Sequence, residues 1–111
     1  MEAINTYDGW LQELAEEETF LLFVKTDNCS VCEALFPQVA ALEEDYGFPF
    51  YYVNAARVPE LAGQLSLFSA PVVLLFRSGR EFARFARFVP MAELERRMDE
   101  LEEAAGETDD Q

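Results

Sequence analysis

Residues 20–32 read Phe20-Leu21-Leu22-Phe23-Val24-Lys25-Thr26-Asp27-Asn28-Cys29-Ser30-Val31-Cys32, and this stretch decides the fold. The first five residues form a short continuous apolar run, the pattern of a central strand buried on both faces. Lys25 to Asn28 is loop chemistry. From about Cys29 the chain reads as helix, with Leu35, Val39, Leu42 and Tyr46 on one stripe and Gly47 as the expected stop. A strand thus delivers two cysteines, three positions apart, to the start of a helix.

Residues three apart lie on the same side of a helix with α-carbons about 5 Å apart, a separation a disulfide tolerates. The pair can open and close without moving the backbone. The free N–H groups and positive dipole end of the helix favour thiolate over thiol at the first cysteine, and thiolate is the attacking species in exchange. Cys29 is therefore read as the nucleophile and Cys32 as the thiol that resolves the mixed disulfide. So short a bridge removes little entropy from the unfolded chain, so stability is not its purpose. Two other readings stand beside this one. Structural zinc needs four ligands, and with no His and no further Cys a closed site within one chain is excluded; a site shared across a dimer or completed by carboxylates is not. The two cysteines can also be bystanders in a core.

Upstream, Thr6 is a candidate N-cap for a first helix carrying Tyr7, Trp10, Leu11 and Leu14 at helical spacing, and Glu16-Glu17-Glu18 opposes the dipole at its end. Downstream, Phe48 to Asn54 reads as a second strand and Pro59-Glu60-Leu61-Ala62 opens a short helix with proline in its first turn. Ser69-Ala70-Pro71 interrupts the chain before a third strand, Val72 to Phe76. Ser78-Gly79 is a hairpin signal, followed by alternation from Phe82 to Val89 in a fourth strand. A last helix carries Met91, Leu94, Met98, Leu101 and Ala105 at three-four spacing among acidic residues. The order predicts an α/β domain: a four-stranded mixed sheet, with one parallel crossover and one antiparallel hairpin, flanked by helices on both faces.

The 111 residues make one domain, expected over residues 1–105, with a disordered acidic tail at 106–111. The ten Phe and 50% hydrophobic content are those of a globular chain. A net charge of −14 repels phosphates and anionic headgroups, which argues against nucleic acid and membrane surfaces as partners. The start, Met1-Glu2-Ala3-Ile4, has neither a basic n-region nor an apolar h-region, so the expected compartment is the cytoplasm, where such a cysteine pair cycles. Arg77, Arg80, Arg84, Arg87, Arg96 and Arg97 hold six of the eight basic charges. They either balance the neighbouring acidic helix or steer an acidic partner.

Cys-x-x-Cys after a strand, Pro37 five residues beyond Cys32, and Ala70-Pro71 before the third strand together make residues 4–104 resemble the thioredoxin family. The resemblance implies the thioredoxin fold and a protein-disulfide oxidoreductase that needs no bound cofactor or metal. It also implies a monomer that acts on protein disulfides and takes electrons from a separate reductase of the thioredoxin-reductase type. By the same resemblance Pro37 kinks the active-site helix, the Ala70–Pro71 bond is cis, and Ser30, Val31, Ala70 and Pro71 meet the substrate chain. Lys25, Asn28, Glu33 and Pro37 would modulate the pair. The sequence departs from the family pattern in telling places. Trp-Cys-Gly-Pro-Cys is here Asn28-Cys29-Ser30-Val31-Cys32, Lys25 stands where the family often has Trp, and Glu33 stands where Lys is common. The family's buried acid falls on Phe23, and the lysine that partners it falls near Tyr52. A redox sensor or adapter that binds one partner is the alternative these departures leave open.

Overall fold

A computed structural model describes residues 1–109. The elements run β1 (Glu2–Ala3), α1 (Tyr7–Glu16), β2 (Thr19–Lys25), α2 (Ser30–Ala40), a 3₁₀ turn (Ala41–Asp45), β3 (Phe50–Asn54), α3 (Pro59–Gln64), β4 (Val72–Arg77), β5 (Arg80–Ala86) and α4 (Met91–Asp109). The sheet order is β1-β3-β2-β4-β5. β2 pairs parallel to β3 and antiparallel to β4, which continues into the β4–β5 hairpin. The expected mixed sheet is present, but with five strands rather than four. The added strand is only two residues, running parallel to β3 with Glu2 opposite Tyr51 and Ala3 opposite Tyr52. Two residues carry no periodicity, so pairing with β3 alone defines this strand.

The continuous apolar run is explained by two cores. Leu21 and Phe23 face one side with Leu35, Val39, Val73, Leu75, Leu94, Met98 and Leu101; Phe20, Leu22 and Val24 face the other with Trp10, Tyr51, Leu61, Val72 and Leu74. A central strand covered by α2 and α4 on one face and by α1 and α3 on the other has no polar face. Trp10 anchors the second core, its ring edge-on to Phe20 at 5.8 Å and to Phe76 at 5.2 Å.

Caps and turns follow the sequence with local adjustments. The Thr6 hydroxyl accepts the Gly9 N–H at 3.0 Å and α1 ends at Glu16. The second helix ends earlier than its apolar stripe suggests: α2 stops at Ala40, and the 3₁₀ turn carries the chain to Tyr46. Pro37 inside α2 has no N–H, so the Glu33 carbonyl loses its helical donor. Gly47 does not cap this helix; its N–H is held by the Glu102 carboxylate at 2.8 Å. β3 begins at Phe50 because Pro49 cannot donate to a ladder, although the Pro49 carbonyl accepts the Leu21 N–H at 3.1 Å. Ser78 and Gly79 take φ of 52° and 75°, the left-handed pair a tight hairpin turn requires. β5 stops at Ala86, short of Val89, because Arg87 turns to φ 69°. The backbone of α4 continues past Gly106 to Asp109, and the end of the expected tail, residues 110–111, lies outside the described residues.

Candidate active site

Cys29 is the N-cap of α2, with extended φ and ψ of −113° and 95°. Asn28 before it adopts φ 55°, a left-handed conformation that asparagine tolerates, and this turn aims Cys29 along the helix start. The two cysteines form a disulfide with α-carbons 5.2 Å apart. The Cys29 Sγ also accepts the Cys32 N–H at 3.2 Å, as a capping side chain does. The two sulfurs sit in unequal surroundings: Cys29 is half-buried, whereas Cys32 is 2% exposed. Ser30 and Val31 are exposed on the first turn between them.

A cavity of about 410 Å³ opens beside the pair, lined by Lys25, Thr26, Asp27, Asn28, Cys29, Cys32, Glu33, Phe36 and Tyr52. It brings together Lys25, Asn28, Glu33 and both cysteines from the sequence reading. Exposed Pro37 lies outside this lining, and so do half-buried Ala70 and buried Pro71. The Ala70–Pro71 bond is cis, as the resemblance implied, and Pro71 is buried at the entrance to β4. A larger cavity of about 510 Å³, lined in part by Glu17, Glu18, Gly47 and Glu102, lies at the opposite end of β2 and contains neither cysteine.

Four cavity residues were not among the site residues taken from the sequence. Phe36 lies one turn beyond Cys32, so helical spacing alone could have placed it on the same face. Tyr52 is brought in by the register that sets it opposite Phe23. Thr26 and Asp27 belong to the loop before the cysteines. Asp27 is held in place, accepting from the Asn54 side-chain amide at 2.8 Å and pairing with Arg57 at 3.7 Å. Beneath the pair the floor is aromatic: Phe36 meets Phe23 edge-on at 5.4 Å and Tyr52 at 5.2 Å. Phe23 is fully buried, so no carboxylate occupies that position. Among the described residues, no group of three or more Cys, Asp or Glu is arranged to hold a metal ion, and no helix is long and apolar enough to cross a membrane.

The basic residues are mostly committed locally. Arg84 pairs with Glu81 at 2.7 Å, Arg96 with Glu93 at 2.6 Å, and Arg97 with Glu100 at 3.4 Å. Arg77 donates to the Ala104 carbonyl at 3.0 Å. Balance within the hairpin and α4 accounts for these four.

Comparison with known proteins agrees with this architecture. A family model described as TraF, F plasmid transfer operon protein, matches residues 4–98. The thioredoxin-like protein YdfQ of Bacillus subtilis (strain 168) is 37% identical over 78 residues, covering 69% of this chain and 70% of that protein. Thioredoxin AMT13 of Alternaria alternata is 31% identical over 65 residues, 58% of this chain and 55% of its own length. Plasmodium falciparum thioredoxin superposes with a TM-score of 0.82 at 13% identity, covering 90% of this chain and 98% of the other. Fasciola hepatica thioredoxin gives 0.82 at 18% identity, covering 91% and 99%. These structural likenesses establish the fold, and the sequence matches establish the kinship: the chain belongs to the family that the TraF model describes, among the thioredoxin-like proteins.

Proposed function

We propose that this protein is a thiol–disulfide oxidoreductase acting on protein disulfides, with Cys29 as nucleophile and Cys32 as resolving thiol. The observation that carries this reading is the asymmetry of the pair: Cys29 half-buried at a helix N-terminus, Cys32 at 2% exposure one turn deeper. The helix end favours the Cys29 thiolate. That thiolate attacks one sulfur of a substrate disulfide, forming a mixed disulfide and releasing the first substrate thiolate, which takes up a proton. The Cys32 thiolate then attacks the Cys29 Sγ, releasing the second substrate thiolate and forming the Cys29–Cys32 disulfide. Two electrons pass from protein to substrate, and a separate dithiol reductase returns them. No bound cofactor is needed for either step. The reducing cytoplasm is the compartment that suits this direction.

A redox sensor or adapter dedicated to one partner is the second reading, favoured by the aromatic floor where an acid would assist the resolving thiol. The test is turnover: reduced protein is mixed with several unrelated disulfide proteins in the presence of dithiothreitol. Multiple turnovers on several substrates, abolished by Cys29→Ser, support the enzyme. Stoichiometric reaction with one partner supports the adapter.

A further inference from the structure

Among the described residues only Leu11, Val31, Phe68 and Phe88 are large, apolar and exposed, at 43%, 57%, 92% and 77%. Single exposed apolar side chains are ordinary, but three of these four lie on segments at one end of the sheet, where Val72 at the start of β4 pairs with Val24 near the end of β2 and with Ala86 at the end of β5. Val31 lies between the two cysteines. Phe68 opens the segment that ends at Pro71. Phe88 follows Arg87, whose N–H donates to the Pro71 carbonyl at 2.9 Å. The Phe68 segment is fastened at its start as well: Arg84, oriented by Glu81, donates to the Leu65 carbonyl at 2.7 Å and to the Ser66 carbonyl at 3.3 Å. Both phenylalanines therefore stand on loops already tied to the sheet, so little ordering remains to be done on binding.

Arg87 adds a charge to this surface. Its φ of 69° is one that a side chain other than glycine, asparagine or aspartate seldom adopts, and such strain gathers at functional sites. Arg57, Arg84, Arg96 and Arg97 all have carboxylate partners, whereas exposed Arg87 has none among the described residues. Arg80 is also without one but stands at the hairpin end of β5, away from Pro71. In a chain of net charge −14, a guanidinium with no carboxylate partner among the described residues, next in the chain to exposed Phe88 and on a segment bonded to Pro71, is a local preference for a carboxylate. The same net charge opposes pairing of two copies through this face.

Building on the oxidoreductase reading, we propose that Phe68, Arg87 and Phe88 form a docking surface for substrate segments with a large apolar side chain beside the reactive cysteine and an acidic residue close by. The probe is a short fluorescent peptide of that pattern with Ser in place of its cysteine, so that binding is read without exchange. It is compared with one peptide carrying Lys for the acid and one carrying Ser for the apolar residue. By anisotropy, wild type should bind the acidic apolar peptide about tenfold more tightly than either. Phe68→Ser and Phe88→Ser should each lose about tenfold on that peptide alone. Arg87→Asn, which suits the left-handed backbone, should erase the distinction between acid and lysine, and Arg87→Glu should invert it. Wild type that reduces a small aromatic disulfide yet binds all three peptides alike overturns the docking proposal and leaves the exchange reading standing. Wild type that distinguishes the peptides yet reduces no disulfide overturns the exchange reading alone. A dimer in sedimentation that Phe88→Ser dissociates would instead assign the surface to self-association.

Discussion

Phe23 on β2 is the register partner of Tyr52 on β3, and both rings pack edge-on against Phe36, at 5.4 and 5.2 Å, with Phe36 and Tyr52 lining the cavity that holds the cysteine pair. Cys32 must lose its proton before it can attack the mixed disulfide, and burial beside these rings favours the neutral thiol. The titratable side chains sharing its cavity are Lys25, Asp27, Glu33 and Tyr52, and Arg57 stands behind Asp27. Resolution should therefore be slow at neutral pH and rise steeply with pH. Phe23→Asp should speed resolution while costing about 3–5 kcal/mol of stability, since it removes a core ring and buries an acid. Single-turnover release of a model disulfide, followed across pH, checks this; identical profiles for wild type and Phe23→Asp would show that solvent or another group already takes the proton.

The unequal exposure of the two sulfurs sets an order of reaction. In the reduced protein Cys29 should be alkylated about tenfold faster than Cys32 at neutral pH, with an apparent pKa below the free-thiol value of about 8.5. Brief iodoacetamide treatment followed by peptide mass mapping reads the order directly. Cys32→Ser should accumulate mixed disulfides with substrates and Cys29→Ser should form none; labelling of Cys32 first would reverse the two roles.

Thr19 begins β2 at 7% exposure, and its buried hydroxyl has no hydrogen-bond partner among the described residues. A buried polar group without a partner is a cost that valine, nearly the same shape, does not carry. Thr19→Val should raise stability by about 1 kcal/mol in urea unfolding, with the m-value unchanged. A loss of similar size would mean that the hydroxyl is satisfied.

Two tyrosines bond helices through carboxylates: Tyr51 on β3 donates to Glu13 of α1 at 2.7 Å, and Tyr46 after the 3₁₀ turn donates to Asp99 of α4 at 2.8 Å. Burial first, then these hydrogen bonds and the surrounding acidic charges, hold both phenols above their ordinary value near 10. Because the folded pKa lies above the unfolded one, this stabilisation is complete below about pH 10 and is lost as pH rises further toward the folded values. Denaturant unfolding across the alkaline range should show wild-type stability falling above that point. Tyr46→Phe with Tyr51→Phe should flatten the alkaline slope; an unchanged slope would place its origin in other groups.

What the sequence by itself determined is the part of the structure written in local pattern. The apolar run Phe20–Val24 could only be a strand covered on both faces, the cysteine spacing put both sulfurs on one side of a helix start, and Ser78-Gly79 specified its turn. The strand at Glu2–Ala3 was not legible, because two residues have no period and exist as a strand only through β3. The early end of α2 was hidden for a related reason: the apolar stripe runs on through Leu42 and Tyr46, while the backbone has already tightened to a 3₁₀ turn. Only the tertiary structure decided that Phe36 packs against both Phe23 and Tyr52, that Arg84 fastens the loop before Pro71, and that the Arg87 backbone bonds Pro71 while its side chain has no carboxylate partner among the described residues. Each of those depends on register and on contacts between residues far apart in the chain, and periodicity, which reports only how a segment faces its own surroundings, carries no information about which distant side chain it will meet.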